Sequence, residues 1–153
     1  MNYFYGFAGD DIMFGNNGND VLIGGAGADE LHGGNNNDLL NGEAGADTLF
    51  GDSGNDTAYG GAGSDSLRGN SGNDQLCGQD GSDSVYGDSG NDKLVGGADA
   101  DYLVSHDGGA GNDTVFGDNE NGTGGGSGII DVLYSDMGGG LSDAMSGIES
   151  ASY

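Results

Sequence analysis

The sequence predicts an all-β fold, a right-handed parallel β-roll in which two nine-residue units make one coil. Three observations predict it. A unit G-x-x-G-x-D-x-Φ-x, with Φ apolar, runs unbroken from Gly6 to Val104 in eleven copies, and a twelfth, Gly108–Phe116, follows a three-residue slip. The sixth position is Asp in all twelve copies and the eighth is always apolar. The fifth position alternates, Asn19, Ala28, Asn37, Ala46, Asn55, Ser64, Asn73, Ser82, Asn91, Ala100, so every second unit occupies the same environment. A fixed short period of this kind is the signature of a solenoid.

The elements follow in order. Residues 1–5 read as an N-terminal cap, and residues 6–116 as the roll, slipping at 105–107. Each unit divides into a six-residue turn and a three-residue strand, in which the eighth side chain points opposite to the seventh and ninth. Stacked coils ~4.8 Å apart bring the eighth positions into one thin core: Met13, Leu22, Leu31, Leu40, Leu49, Ala58, Leu67, Leu76, Val85, Leu94, Leu103 and Val115. Gly at the first and fourth positions suits positive φ and close stacking. The fourth-position departures, Asn36 and Asp99, are the residue types that best follow Gly into that region. Residues 117–128 form a Gly-rich loop, and 129–153 a final strand and C-terminal cap, with Asp131 in the ligand position and Leu133 inward.

Charge narrows the function. The 153 residues carry 26 acidic and 2 basic side chains, a net charge of −24, with 37 Gly and no Pro or Trp. Nucleic acid and anionic membranes are poor partners at that charge, and no apolar run approaches a membrane span. Met1–Phe14 lacks the basic start and long apolar core of a cleaved signal peptide. Cys77 stands alone, which excludes an internal disulfide.

One small apolar side chain per unit cannot order so Gly-rich a chain, and each edge of the stack carries a column of like charges. Folding must therefore be coupled to a cation. The candidate ligands are Asp11, Asp20, Asp29, Asp38, Asp47, Asp56, Asp65, Asp74, Asp83, Asp92, Asp101 and Asp113. Carboxylates and turn carbonyls are hard donors without a Cys/His cluster, which favours Ca2+ over zinc, copper or magnesium. Residues eighteen apart stack, giving nine sandwiched sites from Asp11/Asp29 to Asp83/Asp101.

GGAGADELH, GGAGSDSLR and GDSGNDKLV resemble the calcium-binding nonapeptide of the repeats-in-toxin (RTX) family. The resemblance covers Gly6–Phe116 and implies a parallel β-roll with calcium between turns. It also implies export by a one-step type I route that reads an uncleaved C-terminal signal.

No catalytic constellation stands out: Ser105-His106-Asp107 are adjacent and do not converge as nucleophile, base and orienter. The expected function is a secreted, non-enzymatic, calcium-binding module that folds on reaching calcium. The alternative is a structural unit that self-assembles with copies of itself into a filament or surface layer; an ice-binding or adhesin segment ranks third. Two features bear on partners. The N-terminal coils are apolar at outward positions such as Ile12, Phe14, Val21 and Ile23, and alternate ninth positions form the stripe Phe14, His32, Phe50, Arg68, Tyr86, Val104.

Overall fold

Two parallel sheets face one another across a single column of apolar side chains. The computed structural model describes residues 1–105 and 111–117, together with the backbone of 132–134 and 144–146. Among the described residues one sheet has eight strands: β1 (Tyr3–Ala8), β3 (Val21–Ala26), β5 (Leu39–Ala44), β7 (Thr57–Ala62), β9 (Gln75–Asp80), β11 (Lys93–Ala98), β13 (Thr114–Phe116) and β15 (Ala144–Ser146). The other has seven: β2 (Ile12–Phe14), β4 (Glu30–Asn35), β6 (Thr48–Ser53), β8 (Ser66–Ser71), β10 (Ser84–Ser89), β12 (Tyr102–Val104) and β14 (Val132–Tyr134). No helix occurs among the described residues.

The eighteen-residue period is the register. Leu22 pairs with Leu40 and Leu31 with Leu49, so consecutive units alternate between sheets and equivalent side chains stack. Between β11 and β13 the step lengthens and Leu94 meets Val115, which absorbs the slip without breaking the ladder. The ladder continues through the turns: Gly27 N–H donates to Ala44 O at 2.9 Å and Leu39 N–H to Asp20 O at 2.9 Å. The twelve eighth-position residues are buried as one cluster, with Phe4 packed against it. Val85, Leu94 and Leu103 are fully buried, so the core keeps its character from one sheet to the other.

Two details differ from the sequence reading. Where the ladder is complete, strands run six residues, from the seventh position to the third of the next unit, rather than three. Stacking supplies partners to backbone that a single coil would leave as turn. Positive φ falls at the second and fourth positions, not the first. Phe7, Glu43 and Gln79 hold φ of 76°, 73° and 83° at second positions, and Asn36 and Asp99 hold 81° and 74° at fourth positions, as expected of them. The first-position Gly is required for space instead. A Cβ on Gly42 would lie 2.3 Å from Asp47 Oδ2 and 2.5 Å from Gly60 O of the next coil. At the start, Tyr3, Phe4 and Tyr5 pair with Val21, Leu22 and Ile23, in the place of a preceding seventh-to-ninth segment.

At the other end, Val132–Tyr134 pairs with β12, and β15 pairs with β13 in the opposite sheet. Asp131, His106, Asp107 and loop residues 118–128 lie outside the described residues.

Candidate metal centre

Each turn brings its sixth-position Asp to the edge of the stack, and the register builds two columns. One contains Asp11, Asp29, Asp47, Asp65, Asp83 and Asp101; the other contains Asp20, Asp38, Asp56, Asp74, Asp92 and Asp113. Within a column, each Asp backbone N–H before the last donates to Oδ1 of the Asp one coil further on. Asp38 N–H meets Asp56 Oδ1 at 2.7 Å, and Asp47 N–H meets Asp65 Oδ1 at 2.8 Å. All nine expected pairs are stacked this way, from Asp11/Asp29 to Asp83/Asp101. A tenth, Asp92/Asp113, bridges the slip at 2.8 Å. Sequence reasoning stopped at Asp101, although the intact twelfth unit signalled this step.

The two oxygens of each carboxylate have different fates. From Asp20 onward Oδ1 accepts an inter-coil bond, while Oδ2 of Asp11, Asp20, Asp29, Asp38, Asp47, Asp56, Asp65, Asp74 and Asp83 is buried without a hydrogen-bond partner. A buried carboxylate oxygen without a donor is costly, and here it recurs at every coil. Burial pushes the Asp56 carboxyl from an ordinary 3.8 up to about 7. The N–H bond from Asp38 opposes that shift, and the charges of Asp74, Asp38 and Asp52 add to it. Burial likewise raises Asp65 and Asp74 to about 6 and lifts Asp38, Asp47 and Asp83. Carboxylates so placed favour either a proton or a cation.

The donors fit a hard cation. Among the described residues no three His, Cys, Asp or Glu side chains converge, so an ion held by these Asp would draw the rest of its shell from other oxygens, the turn carbonyls among them. Six to eight oxygen ligands with mixed carboxylate and carbonyl character suit calcium. The missed feature is on the second Asp column's edge. Its fifth-position Asn side chains form their own ladder, with Asn55 N–H donating to Asn37 Oδ1 at 2.9 Å and Asn73 N–H to Asn55 Oδ1 at 2.8 Å. The alternation of Asn in the sequence was its visible trace.

Outside the columns, the stripe on the second sheet is real as a contact series. Phe14, His32 and Phe50 stack with centroids 4.7 Å apart at both steps, and the Arg68 guanidinium lies 5.4 Å from the Tyr86 centroid. His32 Nε2 is 2.7 Å from Glu30 Oε1 and Arg68 Nε is 2.8 Å from Asp88 Oδ2. Ser105 is buried.

A parallel β-solenoid edged on both sides by stacked, underbonded carboxylates defines a class of protein: a repeat roll built around hard cations. The model of the RTX calcium-binding nonapeptide repeat matches residues 5–40, 14–49, 41–76, 50–85, 78–106 and 107–123. The chain belongs to that family and is a calcium-binding repeat β-roll. Nothing among curated proteins or solved structures matches it.

Proposed function

We propose that this chain is a secreted, non-enzymatic module whose folding is driven by calcium, with the twelve sixth-position Asp residues as the carboxylate ligands. The observation that carries the proposal is the repeated, buried Asp Oδ2 without a donor. Calcium supplies the positive charge that these oxygens lack. The Asp residues hold it between neighbouring coils, in about nine or more sites, and turn carbonyls complete the shell. Because adjacent sites share an Asp and a coil interface, ordering is cooperative along the stack. In calcium-poor surroundings the carboxylate columns repel and the chain stays expanded; where calcium is at millimolar levels it folds. That coupling suits a protein that orders only outside the cell, and proteins with these repeats are typically secreted.

Circular dichroism during chelation at neutral pH tests this. The β signal is expected to collapse in excess chelator and return with calcium; a signal that persists would overturn the proposal.

A second reading, assembly with copies of the same chain, is favoured by the N-terminal end. Tyr3, Tyr5, Phe7, Ile12 and Phe14 are all more than half exposed there, on β1 and β2, each the terminal strand of its sheet. Such strand edges are sticky unless covered. Size-exclusion chromatography with and without calcium decides it: a monomer at high concentration in calcium rejects assembly.

A further inference from the structure

The two edges of the roll are not equivalent. On the edge bearing Asp38, Asp56, Asp74, Asp92 and Asp113, the fifth-position ladder runs Asn37, Asn55, Asn73, Asn91, Asn112, each backbone N–H donating to the Asn Oδ1 one coil back at 2.8–2.9 Å. The neighbouring Asp ladder runs the opposite way, each N–H donating one coil forward. The turns at Asn55/Asp56, Asn73/Asp74 and Asn91/Asp92 are therefore tied to the coil on either side through consecutive backbone N–H groups. Side-chain bonds at the third position add to it near the start, where Asn35 Nδ2 donates to Asn17 Oδ1 at 3.0 Å.

The opposite edge, bearing Asp29, Asp47, Asp65, Asp83 and Asp101, has the Asp ladder but fills its fifth positions with Ala28, Ala46, Ser64, Ser82 and Ala100. Ala46 and Ala100 offer no side-chain acceptor. Near the N-terminus Asp10 stands in, accepting the Ala28 N–H at 2.9 Å.

We propose that the two edges take calcium in order, the Asn-laddered edge first and more tightly. This rests on the calcium reading of the Asp columns given above. The argument concerns preorganisation. Amide ladders tie neighbouring turns with neutral groups, so as coils stack the turns of that edge are held by more than the ion. Binding there orders less chain, and whatever ordering is avoided appears as affinity. On the Ala/Ser edge the ion itself has to order the turn. One net hydrogen bond per turn corresponds to about fivefold in affinity, so the columns separate into two classes of roughly that spacing.

Isothermal titration of the full chain with calcium chloride is expected to show two classes of site. Hydrogen exchange at subsaturating calcium is expected to protect the amides of Asn55 and Asn73 before those of Ala46 and Ser64. Replacing Asn37→Ala, Asn55→Ala, Asn73→Ala and Asn91→Ala together should weaken the tight class about fivefold and merge the two. The reverse set, Ala46→Asn, Ser64→Asn and Ser82→Asn, should tighten the weak class and guards against the first set merely failing to fold. A single class in the wild type with simultaneous protection of both edges overturns the ordering while leaving the calcium reading intact. No calcium uptake at all would remove both.

Discussion

The apolar column and the carboxylate columns run side by side through the same stack, and both are buried, yet only one is complete as it stands. Leu49 and Leu67 are fully buried among like neighbours and want nothing further. Asp47 and Asp65 flank them in sequence, equally buried, each with one oxygen satisfied and the other without a donor. The comparison teaches a division of labour. The thin core sets which coil lies against which, and the edges decide under what conditions the stack exists.

The strongest way to sharpen that contrast is to remove metal and change pH. The raised carboxyls, Asp56 at about 7 and Asp65 and Asp74 at about 6, bind protons more readily in the coil than in the unfolded chain, where they titrate near 3.8. The folded state then carries more protons between those values, so metal-free stability falls as pH rises from about 4 through about 7. In chelator, the β signal is expected to be largest near pH 4 and lost above pH 7, and calcium affinity should rise over the same interval as protons leave. A metal-free signal that grows with pH would contradict the charge imbalance at the edges.

Next in size is a cavity in the complete column. Leu67→Ala should destabilise the calcium-loaded chain by about 2–5 kcal/mol in denaturant melts, without changing the number of ions bound per folded chain. A change in stoichiometry would mean that core and edge cannot be separated.

An edge substitution should show a sign that the core cannot. Asp56→Asn keeps an acceptor for the Asp38 N–H and removes one buried charge. It is expected to weaken two stacked sites in calcium, lowering stability by about 1–3 kcal/mol, and to stabilise the metal-free coil at pH 7. Asp80→Asn, at an exposed third position, should do neither. Equal losses in calorimetry for the two variants would refute the ligand assignment.

The smallest effect on folding is expected at the apolar N-terminal end. Ile12→Ser with Phe14→Ser changes residues that are 66 % and 53 % exposed, so stability should move by no more than about 0.5 kcal/mol. Particle size in millimolar calcium, read by light scattering, should nonetheless fall. Ile23, half-buried on β3, is the poorer choice, since its loss would also disturb packing.

Much of this molecule is legible because it is translationally periodic. Once Asn19, Asn37 and Asn55 are seen to alternate with Ala28 and Ala46, the register of Leu22 on Leu40 and Asp38 on Asp56 follows, and with it the core and both Asp columns. Repetition converts sequence spacing directly into spatial contact, which an aperiodic chain does not allow. What happens within a coil needed the tertiary structure. Positive φ at Phe7, Glu43 and Gln79 was hidden because these residue types do not announce it, even though Gly25, Gly34 and Gly61 at equivalent positions do. The first-position Gly looked like a backbone requirement and proved to be a spatial one, set by Asp Oδ2 and the next coil's carbonyl. The division of each carboxylate into a bonded Oδ1 and an orphaned Oδ2, and the opposed directions of the Asn and Asp ladders, depend on the offset between adjacent turns. Sequence determined which residues stack; the offset between coils, fixed only when backbone N–H groups choose their acceptors, decided which atoms meet.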